Sequence, residues 1–471
     1  MSGSARSTMR RGFVRILTSI VVVGVLSLGA TLVAPVEPSA AQGGRLNLVL
    51  ILTDDQNTDV SKMPFVNGRS DWIRFSRNFV NNPLCCPSRA TILSGQYSHH
   101  TGVEQQRDGK LLNDSSTIAT WLHDAGYRTS FVGKYLNHYP WQLGAYTPPG
   151  WDDWHAYTAQ TAYYNYSLIE NGTQVSYGNA PADYATDVLA RKAIRFLRRP
   201  NDRPFFLLFA PFAPHNPATP APRHVGAFAN LAVPHSPSFN EADISDKSAW
   251  WQTLPFMNAT QMDAAVRHQY ETDLGIDDAV RGIFETLANT GRLDNTVVIY
   301  TSDNGVAFGE HRWAQKQCPY DECVHTPLLI RYPGLAGGER GDFASNVDYA
   351  PSLADFAGVR PASPVDGYSL RSRLFGTGGN WRSYVLLHGQ RDVDYQGDQP
   401  IPPTWWALRS KRFKYIEWDD TGERELYDLV ADPFELQNVA GRDAYHAKVD
   451  ELHAQLARLK ADQPRTVSYE R

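Results

Sequence analysis

Residues 46–55 read LNLVLILTDD, a largely apolar run of strand length that stops abruptly at two aspartates. A strand with one face in water alternates apolar and polar residues. An almost unbroken run instead marks a strand buried on both faces, as in a parallel sheet flanked by helices. Runs of the same character recur at 129–132, 205–210 and 296–301, the last ending at Asp303-Asn304. Helical patterns lie between them. Residues 114–126 have a cap-like start, apolar Ile118, Leu122 and Ala125, and a closing glycine, while 184–199 and 262–289 are longer and periodic. Strands alternating with helices predict an α/β fold with a large, mainly parallel sheet flanked by helices.

Other segments depart from that alternation. Residues 163–177 read strand, Asn171-Gly172 turn, strand, a strong short hairpin signal. Residues 211–222, PFAPHNPATPAP, are too proline-rich for a helix and predict a surface or active-site loop. Beyond Gly376 the runs YVLLHG, ALRSKRFKYIEW and ELYDL predict a smaller C-terminal antiparallel sheet, closed by a helix over 444–460. The expected organisation is a signal peptide over 1–41, a catalytic domain over 42–375 and a C-terminal subdomain over 376–471.

The bulk numbers exclude more than they select. A chain of 471 residues with 42% hydrophobic and 20% charged residues can bury a substantial core. A net charge of -5 gives no reason to expect nucleic acid or an acidic membrane as partner. Arg10-Arg11, the apolar stretch 16–34 and the small residues Ser39-Ala40-Ala41 before Gln42 read as an export signal, so the mature chain is expected outside the cytoplasm. The paired arginines faintly resemble a twin-arginine signal, and an uncleaved anchor is the alternative use of the apolar stretch. The four cysteines are Cys85, Cys86, Cys318 and Cys323. Adjacent Cys85 and Cys86 are poorly placed to bridge each other and lack the spacing of a zinc knuckle, whereas Cys318 and Cys323 are placed to close a small disulfide loop in an exported protein.

Candidate chemistry sits at the strand ends. In open α/β sheets, ligands lie beyond the carboxyl ends of strands, where Asp54-Asp55 and Asp303-Asn304 fall. Crowded carboxylates repel unless a cation lies among them, and oxygen-only ligands suit Ca²⁺ or Mg²⁺ rather than Zn²⁺. Each acidic pair alone reads equally well as a turn or helix cap. Residues 81–102, NNPLCCPSRATILSGQYSHHTG, place Cys85-Cys86-Pro87-Ser88-Arg89 at the start of a helix-like segment. A cysteine there, beside an arginine, lies where anions bind and where a thiolate is stabilised.

VLILTDDQ, PLCCPSRATILSG, FVGKYLNHY, APHNP, YTSDNGVAFGEHRWAQK and ELYDLVADPFELQN resemble the sulfatase family in order and spacing, over nearly the whole mature chain. DDQ, CCPSR and GKYLN are most similar to its N-acetylglucosamine-6-sulfatase branch and the heparan 6-O-endosulfatases. The resemblance implies that Asp54, Asp55, Asp303 and Asn304 bind one divalent cation, usually Ca²⁺. It implies that Cys85 is oxidised to formylglycine by a formylglycine-generating enzyme and supplies a further ligand oxygen. Arg89 would steady the formylglycine hydrate, Lys134 and Lys316 would grip sulfate oxygens, and His215 would lie near the leaving group. The family often reads GKWHLG where this chain has Leu136, so Asn137 or His138 is left to replace a second histidine.

That chemistry accounts for the residue types. A sulfate monoester is an anion, and a cation with fixed positive side chains neutralises charge as the transition state develops. One hydroxyl of an aldehyde hydrate attacks sulfur as the alcohol leaves protonated, and the second then expels sulfate, a step a serine lacks. Read without the motifs, Lys134 and Lys316 are ordinary surface lysines and His215 a structural histidine. Cys86 reads as a buried structural thiol, His99-His100 as either pocket or surface, and the tyrosines of 157–166 as core packing or a sugar-facing wall. The expected activity is sulfate-ester hydrolysis on a sulfated small molecule or glycan. A phosphonate or phosphate monoester hydrolase of the same superfamily is the alternative, and a non-catalytic sulfated-glycan binder a third.

Overall fold

The structure is a computed structural model that describes residues 44–159, 161–200, 202–392 and 400–467. The export signal and processing site expected before Gln42 lie outside the described residues. The apolar run at 46–53 forms the strand Asn47–Thr53, whose seven residues are all buried. Its alternate side chains feed two separate cores. Leu48, Leu50 and Leu52 pack with Ala90, Ile92 and Leu93 of the helix Cys85–Ser94, with Ile118 and Leu122 of the helix Ile118–Asp124, and with Leu353 of the helix Tyr349–Phe356. Val49 and Ile51 point the other way, against the helices Ala185–Arg198 and Ala259–Asn289. Burying both faces is why the strand carries no polar alternation, each such side chain contributing roughly 1.5–3 kcal/mol.

Ten strands form one sheet in the order Gly338–Ser345, Ile73–Phe79, Leu328–Arg331, Thr296–Ser302, Asn47–Thr53, Phe205–Ala210, Arg128–Gly133, Asp153–Tyr157, Tyr166–Glu170, Thr173–Tyr177. The strands from Thr296–Ser302 through Asp153–Tyr157 run parallel and make the centre. Antiparallel partners flank that block on both sides, so the sheet is mixed, with its parallel part in the middle. The Asn171-Gly172 hairpin is present, its first strand starting at Tyr166 rather than Tyr163. The helix expected from residue 114 begins at Ile118. A capping box between Thr117 and Thr120 fixes that start, and the polar residues before it remain loop.

The four C-terminal strands Tyr384–Gly389, Trp405–Ser410, Phe413–Trp418 and Arg424–Asp428 form an antiparallel sheet. One face packs through Val385, Leu387, Trp405 and Trp418 onto Phe79, Val80 and Phe343 of the large sheet's edge. The other is covered by Val449, Leu452 and Leu456 of the closing helix His446–Ala461. Cys318 and Cys323 form a disulfide.

One glycine is dictated by close approach. Gly133, at φ +134°, ends its strand where a Cβ would fall 1.8 Å from the Ala210 carbonyl oxygen, the same oxygen that accepts Lys134 N at 2.7 Å. Gly133→Ala should therefore cost ~2–3 kcal/mol and shift Lys134, whereas Gly126→Ala, also at positive φ but facing open space, should cost ~1 kcal/mol. Urea midpoints with unchanged m-values measure both.

Candidate active site

The parallel block delivers its side chains to one place. Asp303-Asn304, Asp54-Asp55 and Lys134 directly follow the ends of three of its strands, and the proline-rich loop after Ala210 brings His215. These strands are neighbours about 5 Å apart, so residues just past their carboxyl ends converge without any further device. Across from them the helix Cys85–Ser94 points its first turn inward. Pro87 is tolerated there because first-turn amides have no helical acceptor, and Gly95 ends the helix in the left-handed region with its N–H on Thr91 O at 2.8 Å.

Each carboxylate has its own cation. Lys134 Nζ lies 2.6 Å from Asp54 Oδ2, Lys316 Nζ 2.9 and 3.0 Å from the two Asp55 oxygens, and Arg89 Nε 2.8 Å from Asp303 Oδ2. Burial alone would raise the Asp54 carboxyl, but Lys134 and Arg89 outweigh it and hold the group down at about 2. Burial likewise opposes ionisation of Asp55, and Lys316 with His215 overcomes it, so its carboxyl lies below the usual range. Lys316 stays charged, its burial outweighed by Asp55 and by Cys85 and Asp54. His215 is pushed down by burial and by Lys316, against the pull of Asp55, whose Oδ2 is 3.3 Å from its Nε2.

Cys85 Sγ is 3.4 Å from Asp54 Oδ1 and 2.8 Å from Lys316 Nζ. Burial, with Asp54 and Asp303 beside it, pushes the thiol up to about 12 despite both lysines. The helix start therefore does not make Cys85 a thiolate, contrary to what its position beside Arg89 suggested. Cys86 points elsewhere, toward Gly109 and into the core that includes Leu136.

The donor set fits a hard cation. Ligand atoms of Asp54, Asp55, Cys85 and His215 lie within 4.8 Å of one another. Asn304 donates from Nδ2 to Asp55 Oδ1 at 2.6 Å and leaves its Oδ1 buried without a hydrogen-bond partner, an acceptor that a cation would satisfy. Asp303 is more committed, with Oδ1 accepting Asp55 N at 3.1 Å and Oδ2 accepting Arg89.

Other candidates lie apart. Leu136 is in the core, His138 is exposed, and Asn137 keeps a buried Oδ1 without a partner. His99 packs edge-on to Trp406 and His100 pairs with Asp366 at 2.8 Å, both in the C-terminal contact. Tyr157, Tyr163 and Tyr166 are core residues. Two of the site's supports escape sequence reading. Gln269 donates to Asp55 O at 2.8 Å from within a long helix, and Tyr163 OH donates to His215 O at 2.6 Å. Neither carries a local motif, and only a polar residue interrupting an apolar helical face hints at Gln269. A cleft of about 280 Å³ opens beside Asp55 and Asn216, and one of about 70 Å³ beside Lys316, Gln106 and Trp313.

The chain is similar to known proteins over most of its length. The sulfatase family model matches residues 46–359, and the model described as N-sulphoglucosamine sulphohydrolase, C-terminal, matches 309–462. N-acetylglucosamine-6-sulfatase of Homo sapiens is 34% identical over 85% of this chain and 82% of its own length. The putative extracellular sulfatase Sulf-1 homolog of Caenorhabditis elegans is 34% identical over 69% of this chain, which spans about half, 48%, of that protein. A solved structure in complex with its substrate D-glucosamine-2-N,6-O-disulfate superposes with a TM-score of 0.76 at 28% identity, covering 89% of this chain and 99% of that one. The chain belongs to the sulfatase family of sulfuric ester hydrolases.

Proposed function

We propose that the protein hydrolyses a sulfate monoester of a sulfated sugar of the glucosamine-6-sulfate class, outside the cytoplasm, with Cys85 oxidised to formylglycine during maturation by a formylglycine-generating enzyme. The observation that carries this reading is the convergence of two ammonium groups and one guanidinium on three carboxylates around Cys85. Names of the glucosamine sulfatases and the disulfated-glucosamine complex favour the sugar class. Among the described residues no helix is long and apolar enough to cross a membrane, and one relative carries an extracellular name.

Asp54, Asp55, Asp303 and Asn304, with the modified Cys85, would hold one divalent cation, Ca²⁺ by donor type and Mg²⁺ as the alternative. When bound, the cation and the aldehyde hydrate supply charge neutralisation and the attacking hydroxyl, respectively. A Cys85 thiol held near 12 is a poor nucleophile at neutral pH, which favours the modified residue as the working group. Lys134 and Lys316 carry the positive charge that meets the sulfate oxygens. Arg89 braces the centre from beneath, its Nη1 donating to Lys134 O at 2.5 Å, so that it orients the lysine backbone as well as Asp303. His215, half-exposed beside Lys316 at 3.4 Å, stands where a leaving alcohol can take a proton. The negative charge of a bound ester would favour its protonated form.

Parallel assays on N-acetylglucosamine 6-sulfate and on 4-nitrophenyl sulfate and phenylphosphonate esters test the reading. Sulfate esters should be hydrolysed with the higher kcat/KM, and a clear preference for phosphonate would overturn it. Mass spectrometry of the peptide containing Cys85 should show about 18 Da less than cysteine, the exchange of a thiol for an aldehyde. An unmodified thiol in active enzyme would refute the mechanism. His215→Ala should lower kcat on the sugar sulfate by roughly 10²–10⁴-fold but far less on 4-nitrophenyl sulfate, whose leaving group needs no proton. Equal losses on both substrates would remove His215 from that role.

A further inference from the structure

A second convergence of ligating side chains lies where the loop carrying Lys316 meets the C-terminal sheet. His311, Glu322 and Glu435 each bring one ligating atom within 4.8 Å of the others. His311 is 1% exposed, and its Nε2, like Glu322 Oε2 3.7 Å away, is a buried atom without a hydrogen-bond partner. The remote atom of every member is held by a neighbour. His311 Nδ1 lies 2.7 Å from Glu241 Oε2, an arrangement in which Nδ1 donates and Nε2 turns its lone pair inward. Ser238 Oγ donates to Glu322 Oε1 at 3.2 Å, and Asp321 N donates to Glu435 Oε2 at 2.8 Å. A carboxylate behind the histidine and a donor behind each carboxylate are how proteins orient metal ligands.

The local charge balance has room for a divalent ion. Among the described residues, the carboxylates of Glu241, Asp321, Glu322, Glu425 and Glu435 lie in one network whose side-chain ion pairs are made by three cations, Lys247, Arg409 and Lys414. Two negative charges are left over, and Glu310 adds negative potential at Glu322. Lys414 Nζ stands 2.6 Å from Glu435 Oε1 and 2.6 Å from Asp321 Oδ1, so its single charge is divided between two carboxylates.

The geometry points to a bound divalent transition-metal ion of the Zn²⁺ type, held by His311 Nε2, Glu322 Oε2 and Glu435 Oε1, that ties the Lys316 loop to the C-terminal sheet. One imidazole with two carboxylates suits Zn²⁺ or Mn²⁺, in contrast to the oxygen-rich set at Asp54, Asp55 and Asn304. The site lies apart from the hydrolytic centre and stands or falls independently of the substrate.

The test uses the full chain saturated with Ca²⁺, titrated with Zn²⁺ by calorimetry and examined by anomalous diffraction at the zinc edge. One Zn²⁺ per chain should bind, with its anomalous peak between His311 and Glu322. Glu322→Gln, which preserves shape at a partly exposed position, should abolish that peak while leaving the circular dichroism unchanged. Glu241→Gln should weaken Zn²⁺ about 10–100-fold through the histidine it orients. No retained Zn²⁺, equal retention by Glu322→Gln, or a peak only beside Cys85 and His215 would each overturn the site.

Discussion

Repulsion among Asp54, Asp55 and Asp303 is the constraint on which the rest of the centre depends. At carboxylate separations of a few ångströms and an effective dielectric of about 20, each pair costs on the order of a few kcal/mol. The chain answers with one cation per carboxylate, drawn from three different segments: Lys134 after a strand, Arg89 in a helix and Lys316 in a loop. That pairing keeps the acids ionised while buried. It also gathers positive charge around Cys85.

The parallel centre of the sheet supplies the geometry for that pairing. Parallel neighbours put all their carboxyl ends at one edge, so residues just past Thr53, Ser302 and Gly133 meet although they lie far apart in sequence. An antiparallel arrangement would have sent alternate ends to opposite edges. Gly133 shows how closely the strands are drawn together at that edge, since even a methyl group has no space beside Ala210. The antiparallel strands at the flanks carry none of the converging acids.

Much of this was legible in the sequence because buried parallel strands leave unbroken apolar runs. The runs at 46–53, 205–210 and 296–301 mapped onto strands within a residue or so, and the polar residues that end them mapped onto the centre. Boundaries set by side-chain caps were less visible: Thr117 and Thr120 compete with an equally plausible start at Asp114. Among the flanking antiparallel pairings the Asn171-Gly172 hairpin was legible from its turn, whereas the partners of Leu328–Arg331 were not, because a short strand without a hairpin turn does not state its partners. Position at a helix start does not by itself report the state of the Cys85 thiol, for a physical reason. A helix N-terminus favours a thiolate by a modest amount, whereas full burial between two carboxylates disfavours it by more. Supports such as Gln269 and Tyr163 act across long sequence separations, which no spacing rule reports.

The distinction between the adjacent cysteines follows from helix geometry. Successive residues of a helix are rotated by about 100°, so side chains at the first two positions cannot face the same wall. Cys85 meets Asp54 and Lys316, while Cys86 meets Gly109 and the core around Leu136. Moving the helix start by one residue would exchange them and point a core thiol at the carboxylates. Two interactions resist that slip. Ser88 Oγ donates to Asp303 O, and Arg89 reaches both Asp303 and the Lys134 carbonyl. The serine and arginine of the Cys-Cys-Pro-Ser-Arg segment thus act as a register lock, and which of the two cysteines faces the carboxylates is written into the residues that follow them.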